Sequence, residues 1–455
     1  MLDLLIRGGK YPDYRENKFV QADLGIRDGK VVQIGSITEP AQQEISAENR
    51  IVSPGFLDIH MHEENFQEEG DQFVIAEMMV KMGVTTCLGG NCGVQYQDLA
   101  LFKDTIQRLG GAPVNYLMLA GYNAYRKKLG VNTYAKATGE QQEKLLEQMK
   151  AQLAEGAYGF SFGIEYDPGM DEEEIMHLLS HFEDKNLFVS AHYRSDATEA
   201  IAAIQEMVDI AERSQMKFQI SHLSSCSATG QMTEALALIN REIERNPKLN
   251  FDTYPYCAFS TEIGSAVFDE GCFETWGKSY DCVLITDGEY QNQYCDKEIF
   301  EKVRKEQPQM LVVAFVMNEE EIAEAIANPT GMIASDGIIS HGKGHPRAAG
   351  TFPRLLGKYV RQEKVLSLLD ALRKITLEPA KRLDLHGKGQ IFLGCDADLT
   401  IFDPDTILDK ADFSQLDLAP EGIDYVIVNG QIAVEHAQLK NGKSGRFISY
   451  NRAED

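Results

Sequence analysis

His60 and His62, two residues apart in "FLDIHMHEEN", are the first residues whose types and spacing could do chemistry. Strand side chains alternate, so residues two apart share a face. The apolar run before them ends here, which puts both imidazoles at a strand's C-terminal end. Two adjacent imidazoles have little use in a core and suit a divalent metal. Asp58 shares their face one layer deeper, where it would orient a ligand or brace the strand. His192 and His222 end two later apolar runs, "LFVSAH" and "FQISHL", and Asp336 ends another inside the glycine-rich "GMIASDGIISHGKGHPR". Singly, each has an ordinary explanation as a hydrogen-bonded core histidine or a turn aspartate. Together, four of the ten histidines and one carboxylate fall at strand ends. A metal that acidifies water and a carboxylate that takes its proton are the parts a hydrolase needs. His177 and His181, spaced i, i+4 without the Glu of HExxH, lie opposite the apolar face of Ile175, Leu178, Leu179 and Phe182 and belong to the solvated surface.

The stretch "TTCLGGNCGV" holds two cysteines five residues apart, on opposite faces if the strand is regular. Cys87 lies within the apolar run and reads as a small buried hydrophobe. Cys92 lies where the run gives way to a glycine turn; taken alone it too reads as core rather than ligand, and a set of partners elsewhere in the chain is what would overturn that. The eight cysteines include no CxxC pair, which favours free thiols in a reducing cytosol.

These residues need a frame, and the chain supplies eight apolar strand-like runs: "GFLDIH", "TTCLGG", "VNYLMLAG", "AYGFSFG", "LFVSAH", "FQISHL", "LNFDTYPY" and "GMIASDG". Helix-period stretches such as "QQEKLLEQMKAQLAEG" separate them. Eight β/α units predict an α/β fold of the (β/α)8 TIM-barrel type over residues 55–388, with chemistry at the C-terminal strand ends. Residues 257–330 break the pattern and predict an insertion or a distorted unit. Residues 1–54 and 389–455 instead alternate like short strands, with hairpin signals at Asp28-Gly29 and Asn429-Gly430. Neither terminal piece can bury a face alone, so the two predict one small β-sandwich domain.

The 455 residues are 43% hydrophobic, the composition of an ordinary globular protein. A net charge of −26 repels nucleic acid and anionic membranes. No segment has the length and apolarity of a membrane span or the form of a signal peptide, so a cytoplasmic location is expected.

The HxH on the first strand, histidines on the fifth and sixth, Asp on the eighth and the closing "GKGQIFLGCDADLTIFDP" resemble the amidohydrolase superfamily. Within it, "GNCG", "FGIEYDPG", "DTYPYCAFST" and "SDGIISHGKGHPRAAGTFPR" resemble the D-aminoacylase, or N-acyl-D-amino-acid deacylase, branch over nearly the whole chain. The resemblance implies zinc-dependent hydrolysis of small-molecule N-acyl-D-amino acids to a carboxylate and a free D-amino acid, with Asp336 as general base. Many metal-dependent relatives carry a carboxylated lysine on the fourth strand, but "GAYGFSFGIEY" has none. The resemblance assigns the missing anion to Cys92, with Glu165 as the competing candidate. It groups His192 and His222 with Cys92 around one tight zinc. His60, His62 and Asp336 would frame a second, weaker position. Arg347 would bind the substrate α-carboxylate. Tyr166 and one of Tyr254 or Tyr256 would stand near the acyl carbonyl. Where the branch usually has a lysine two residues after the sixth-strand histidine, this chain has Ser224, and Lys343 is the candidate replacement. A cyclic-amide hydrolase of the dihydroorotase or hydantoinase kind would share barrel, metals and base. The missing fourth-strand lysine and "HPRAAGTFPR" count against it. A non-catalytic metal-binding relative would have no chemical reason to keep Asp336.

Overall fold

The computed structural model describes residues 1–450. Eight strands run parallel around a barrel: Phe56–Asp58, Val84–Gly89, Asn115–Met118 continuing as Ala120–Gly121, Gly159–Gly163, Phe188–His192, Lys217–Ile220, Leu249–Thr253 and Met332–Ile333. The ring closes between its last and first strands. Asp336 N–H donates to the His60 carbonyl at 2.7 Å and His62 N–H to the Gly337 carbonyl at 2.9 Å. Leu57 and Ile59 of the first strand segment join Leu88, Leu117, Phe188, Met332 and Ala334 from other strand segments in one cluster with Ala380 and Leu383. The intervening helices follow their local signals. Gly139–Ala154 starts on a Thr138/Gln141 capping box and buries Leu145, Leu146 and Met149.

Between the seventh and eighth strands an insertion builds a three-stranded antiparallel sheet. Leu311–Ala314 lies between Phe259–Glu262 and Val283–Ile285. Phe268, Phe273, Trp276 and Phe300 form its aromatic core, with ring centroids 5.2–5.8 Å apart.

Both ends of the chain meet in one nine-stranded sheet, in which Ile51–Pro54 pairs antiparallel with Leu399–Phe402. Leu4, Ile6, Leu24 and Val52 from one end share a core with Leu399, Ile401 and Ile427 from the other. The expected terminal domain extends to the end of the chain, but the last described residues do something else. Gly445 and Phe447 bridge to Ala112 and Tyr116, so the tail returns to the third barrel strand. No helix among the described residues is long and apolar enough to cross a membrane.

Asp398 ties these parts together. Its carboxylate accepts from Asn115 of the third barrel strand at 3.2 Å, from the Asn429 backbone at 2.6 Å, and from the buried ammonium of Lys388. Lys388 keeps a second partner in Asp396 at 3.0 Å, yet removing Asp398 strips three donors of their acceptor. Asp398→Ala is therefore expected to destabilise the protein by about 3 kcal/mol. A lowered urea midpoint checks this.

Candidate metal centre and active site

At the C-terminal mouth of the barrel, one ligand atom each from His60, Cys92, His222 and Asp336 lie within 4.8 Å of one another, all on buried residues. Cys92 Sγ is 3.3 Å from His60 Nε2 and 3.4 Å from His222 Nε2, and Asp336 Oδ1 is 3.4 Å from His60 Nε2. A tetrahedral zinc with bonds of about 2.0–2.3 Å would set its ligands roughly 3.3–3.8 Å apart, so these separations fit its edges. The two cysteines of "TTCLGGNCGV" divide as their positions suggest. Cys87 is buried in the second strand, whereas Cys92, three residues past it, reaches the donor cluster.

Cys92, His222 and Asp336 all have left-handed backbones, with φ of 53°, 32° and 50°. Such conformations cost non-glycine residues of order 1 kcal/mol or more each and gather at functional sites. The glycines around Cys92 make its turn possible. A Cβ at Gly163 would stand 2.3 Å from the Cys92 carbonyl oxygen, and one at Gly90, itself at φ 74°, would stand 2.3 Å from that of Leu119.

The ligand rings are held from behind. Asp252 Oδ1 accepts from His60 Nδ1 at 3.1 Å and from the His222 backbone N–H at 2.8 Å, while Oδ2 accepts from Gln219 at 3.1 Å. A proton on His60 Nδ1 leaves the Nε2 lone pair facing the cluster. Ser225 Oγ does the same for His222 Nδ1 at 2.6 Å. Asp58 Oδ1 accepts the backbone N–H groups of His60 and Ser335, bracing the first strand against the eighth. Burial pushes its carboxyl up to about 6.

Charge reinforces the geometry. Burial works against the Cys92 thiolate, but His60 and His222 hold its pKa well below the ordinary thiol value. Burial likewise opposes ionised Asp336, yet Arg347, then His222, keep it well below the carboxylate range. His60 is raised well above the usual histidine value because, against burial, it faces Cys92 and Asp252. His62, against burial, is raised to about 9 chiefly by Asp336. A thiolate and a carboxylate thus share a dry space with imidazoles that must otherwise take up protons to balance them. A divalent cation answers that demand.

His222 and Cys92 do meet, but with His60 and Asp336. His192 keeps Cys92 as a side-chain partner and also meets Glu165 and Cys226, its Nε2 2.6 Å from Glu165 Oε2 and 3.8 Å from Cys226 Sγ. The His192 ring still stacks edge-on to that of His222 at 4.5 Å. His62 borders the cluster through Asp336 Oδ1 at 3.1 Å, with its Nδ1 buried and unpartnered.

Asp336 Oδ2 receives Arg347 at 2.9 Å, and the guanidinium lies 4.8 Å over the Tyr254 ring. Arg347 is nearly fully buried, its Nε and Nη1 without hydrogen-bond partners. A cavity beside the cluster is lined by Tyr166, whose ring lies 4.6 Å from that of His192, among others. The remaining expected substrate residues are not brought there. Tyr256 packs between His345 and Arg354. Lys343 sits on a short hairpin with Asp287 at 3.7 Å. Ser224 is buried and accepts from Thr253 Oγ1 at 2.7 Å. Asp252, Ser225, Cys226 and Asp196 escaped sequence reasoning. Only Asp252 carried a local signal, sharing a strand face with Tyr254.

A (β/α)8 barrel whose strand ends converge nitrogen, sulfur and carboxylate donors, the carboxylate itself paired with a buried arginine, is the architecture of a metal-dependent hydrolase. The chain belongs to the amidohydrolase family, whose profile matches residues 51–433. It is 28% identical to the D-aminoacylase of Alcaligenes xylosoxydans xylosoxydans, covering 99% of this chain and 98% of that protein. It is also 28% identical to the N-acyl-D-glutamate deacylase of the same organism, covering 94% and 93%. Among solved structures, the N-acyl-D-glutamate deacylase of Bordetella bronchiseptica, complexed with zinc and a phosphonate mimic of the tetrahedral intermediate, superposes with a TM-score of 0.87. That match has 28% identity over 98% of this chain and 99% of the other.

If the cluster holds the metal, Cys92→Ala should lower bound zinc to well below stoichiometry, while Cys87→Ala keeps it. Metal analysis of the two purified variants checks this. Asp252→Ala should weaken zinc binding by about 10- to 100-fold through loss of ring orientation.

Proposed function

We propose that the protein is a zinc-dependent N-acyl-D-amino-acid deacylase, converting its substrate to a carboxylate and a free D-amino acid. One observation carries the reading. Asp336 touches the metal-competent donors through Oδ1 and, through Oδ2, an arginine with unsatisfied, buried N–H groups. The full-length similarity to deacylases of linear N-acyl amino acids supports the same class.

His60, Cys92 and His222, with Asp336 beside them, would hold the metal, and His192 and His62 border them. Zinc there supplies a Lewis acid that makes water acidic near neutral pH and polarises the acyl carbonyl. Arg347 holds the α-carboxylate through a charge-assisted hydrogen bond from one of its free N–H groups, at Nε or Nη1. Tyr166 stands within the cavity to donate to the carbonyl oxygen as it gains charge. Asp336 accepts the proton of the attacking water. As the C–N bond breaks, it returns that proton to the amine nitrogen. With carboxylate and carbonyl both held, the Cα substituents fit in only one sense, so chirality is strict.

Zinc-loaded enzyme is expected to hydrolyse N-acetyl-D-amino acids and leave the L enantiomers essentially untouched in an assay of released amine. A preference for L substrates, or for dihydroorotate or hydantoins, would overturn the assignment. Asp336→Asn keeps the size and loses the base, so kcat should fall by about a hundredfold or more. Arg347→Ala should raise KM for N-acyl-D-amino acids by roughly ten- to a hundredfold and have less effect on acyl amides lacking the carboxylate.

A further inference from the structure

The cavity beside the donor cluster extends to a residue with no part in the chemistry above. Asp196, four residues beyond His192, is buried and lines the cavity together with Cys226, Phe259 and Val267. Its Oδ2 accepts from Trp276 Nε1 at 2.9 Å. Its Oδ1 is buried with no hydrogen-bond partner, the Cys226 thiol beside it being only a weak donor. Trp276 belongs to the insertion, where Phe259, Phe268 and Phe273 grip its ring at centroid distances of 5.7–5.8 Å. The carboxylate is therefore held in one orientation by a rigid donor on one oxygen and left short of a donor on the other. Burial, then the charge of Glu165, pushes its carboxyl up to about 7, consistent with an acceptor lacking donors.

The rest of the cavity has the same bias. Three of its lining residues are carboxylates, Glu165, Asp196 and Asp336, and none is a lysine or arginine. Arg347 adjoins it through Asp336 and the Ser260 carbonyl, and the deacylase reading assigns it to the α-carboxylate. At position 224, a serine bonded to Thr253 offers no cation.

We propose that Asp196 is the residue that recognises the amino-acid side chain, accepting a hydrogen bond from a hydroxyl, amide or ammonium group and disfavouring a carboxylate. A donor satisfies the orphaned Oδ1. A carboxylate would bring a second acceptor against it in a dry space whose lining offers no lysine or arginine. This specificity rests on the deacylase reading.

Near-isosteric pairs test it. kcat/KM is measured on the zinc enzyme for N-acetyl-D-glutamine against N-acetyl-D-glutamate and N-acetyl-D-asparagine against N-acetyl-D-aspartate, with N-acetyl-D-alanine as reference. The wild type should favour each amide by about tenfold or more. Asp196→Asn should bring each ratio towards one, and Asp196→Ser serves the same comparison if the first variant does not fold. The ratio is internal to each preparation, so a loss of overall activity does not move it. Turnover of the alanine substrate with the acids preferred, or a bias that survives loss of the Asp196 carboxylate, overturns this inference alone. Turnover of the acids alone also overturns only this inference, whereas no turnover of any of the five substrates overturns the deacylase reading and this inference with it.

Discussion

A thiolate and a carboxylate pressed into one dry volume with imidazoles demand a positive charge between them, and the site is organised around that demand. Cys92 and Asp336 each stay ionised although burial opposes it, because neighbouring rings and Arg347 favour their charge. Separations of 3.3–3.4 Å among sulfur, nitrogen and oxygen leave space for a small ion to replace those protons.

Barrel closure makes this crowding possible. The hydrogen bonds from Asp336 N–H to the His60 carbonyl and from His62 N–H to the Gly337 carbonyl join the last strand to the first. Residues more than 270 positions apart in the chain are thereby set at contact distance. Asp58 reinforces the seam from within, and Asp252 links the first strand's His60 to the sixth strand's His222. Three donor residues keep left-handed backbones there, a cost that the surrounding closed hydrogen bonding sustains.

The insertion between the seventh and eighth strands adds a wall to the mouth. Phe259, Ser260, Thr261 and Val267 line the cavity, and Trp276 reaches in to Asp196. The barrel thus carries the groups that would perform the hydrolysis. The insertion carries groups that would meet whatever extends from the substrate, a division that lets loops vary while strand ends stay put.

The sequence by itself determined the eight-strand barrel and the strand-end position of His60, His62, His192, His222 and Asp336, because alternation and apolar runs are local properties of the chain. It also separated Cys87 from Cys92, since one lies within a run and the other in a glycine turn. Only the tertiary structure decided the partners. His192 turns to Glu165 and Cys226, Lys343 stays on its hairpin with Asp287, and the tail returns to the third strand. Asp252 and Asp196 gain their roles from neighbours 192 and 80 residues away. Periodicity tells which face a side chain leaves from, but a hydrogen bond depends on rotamers and on elements the fold brings close, and no stretch of sequence contains both ends of such a contact.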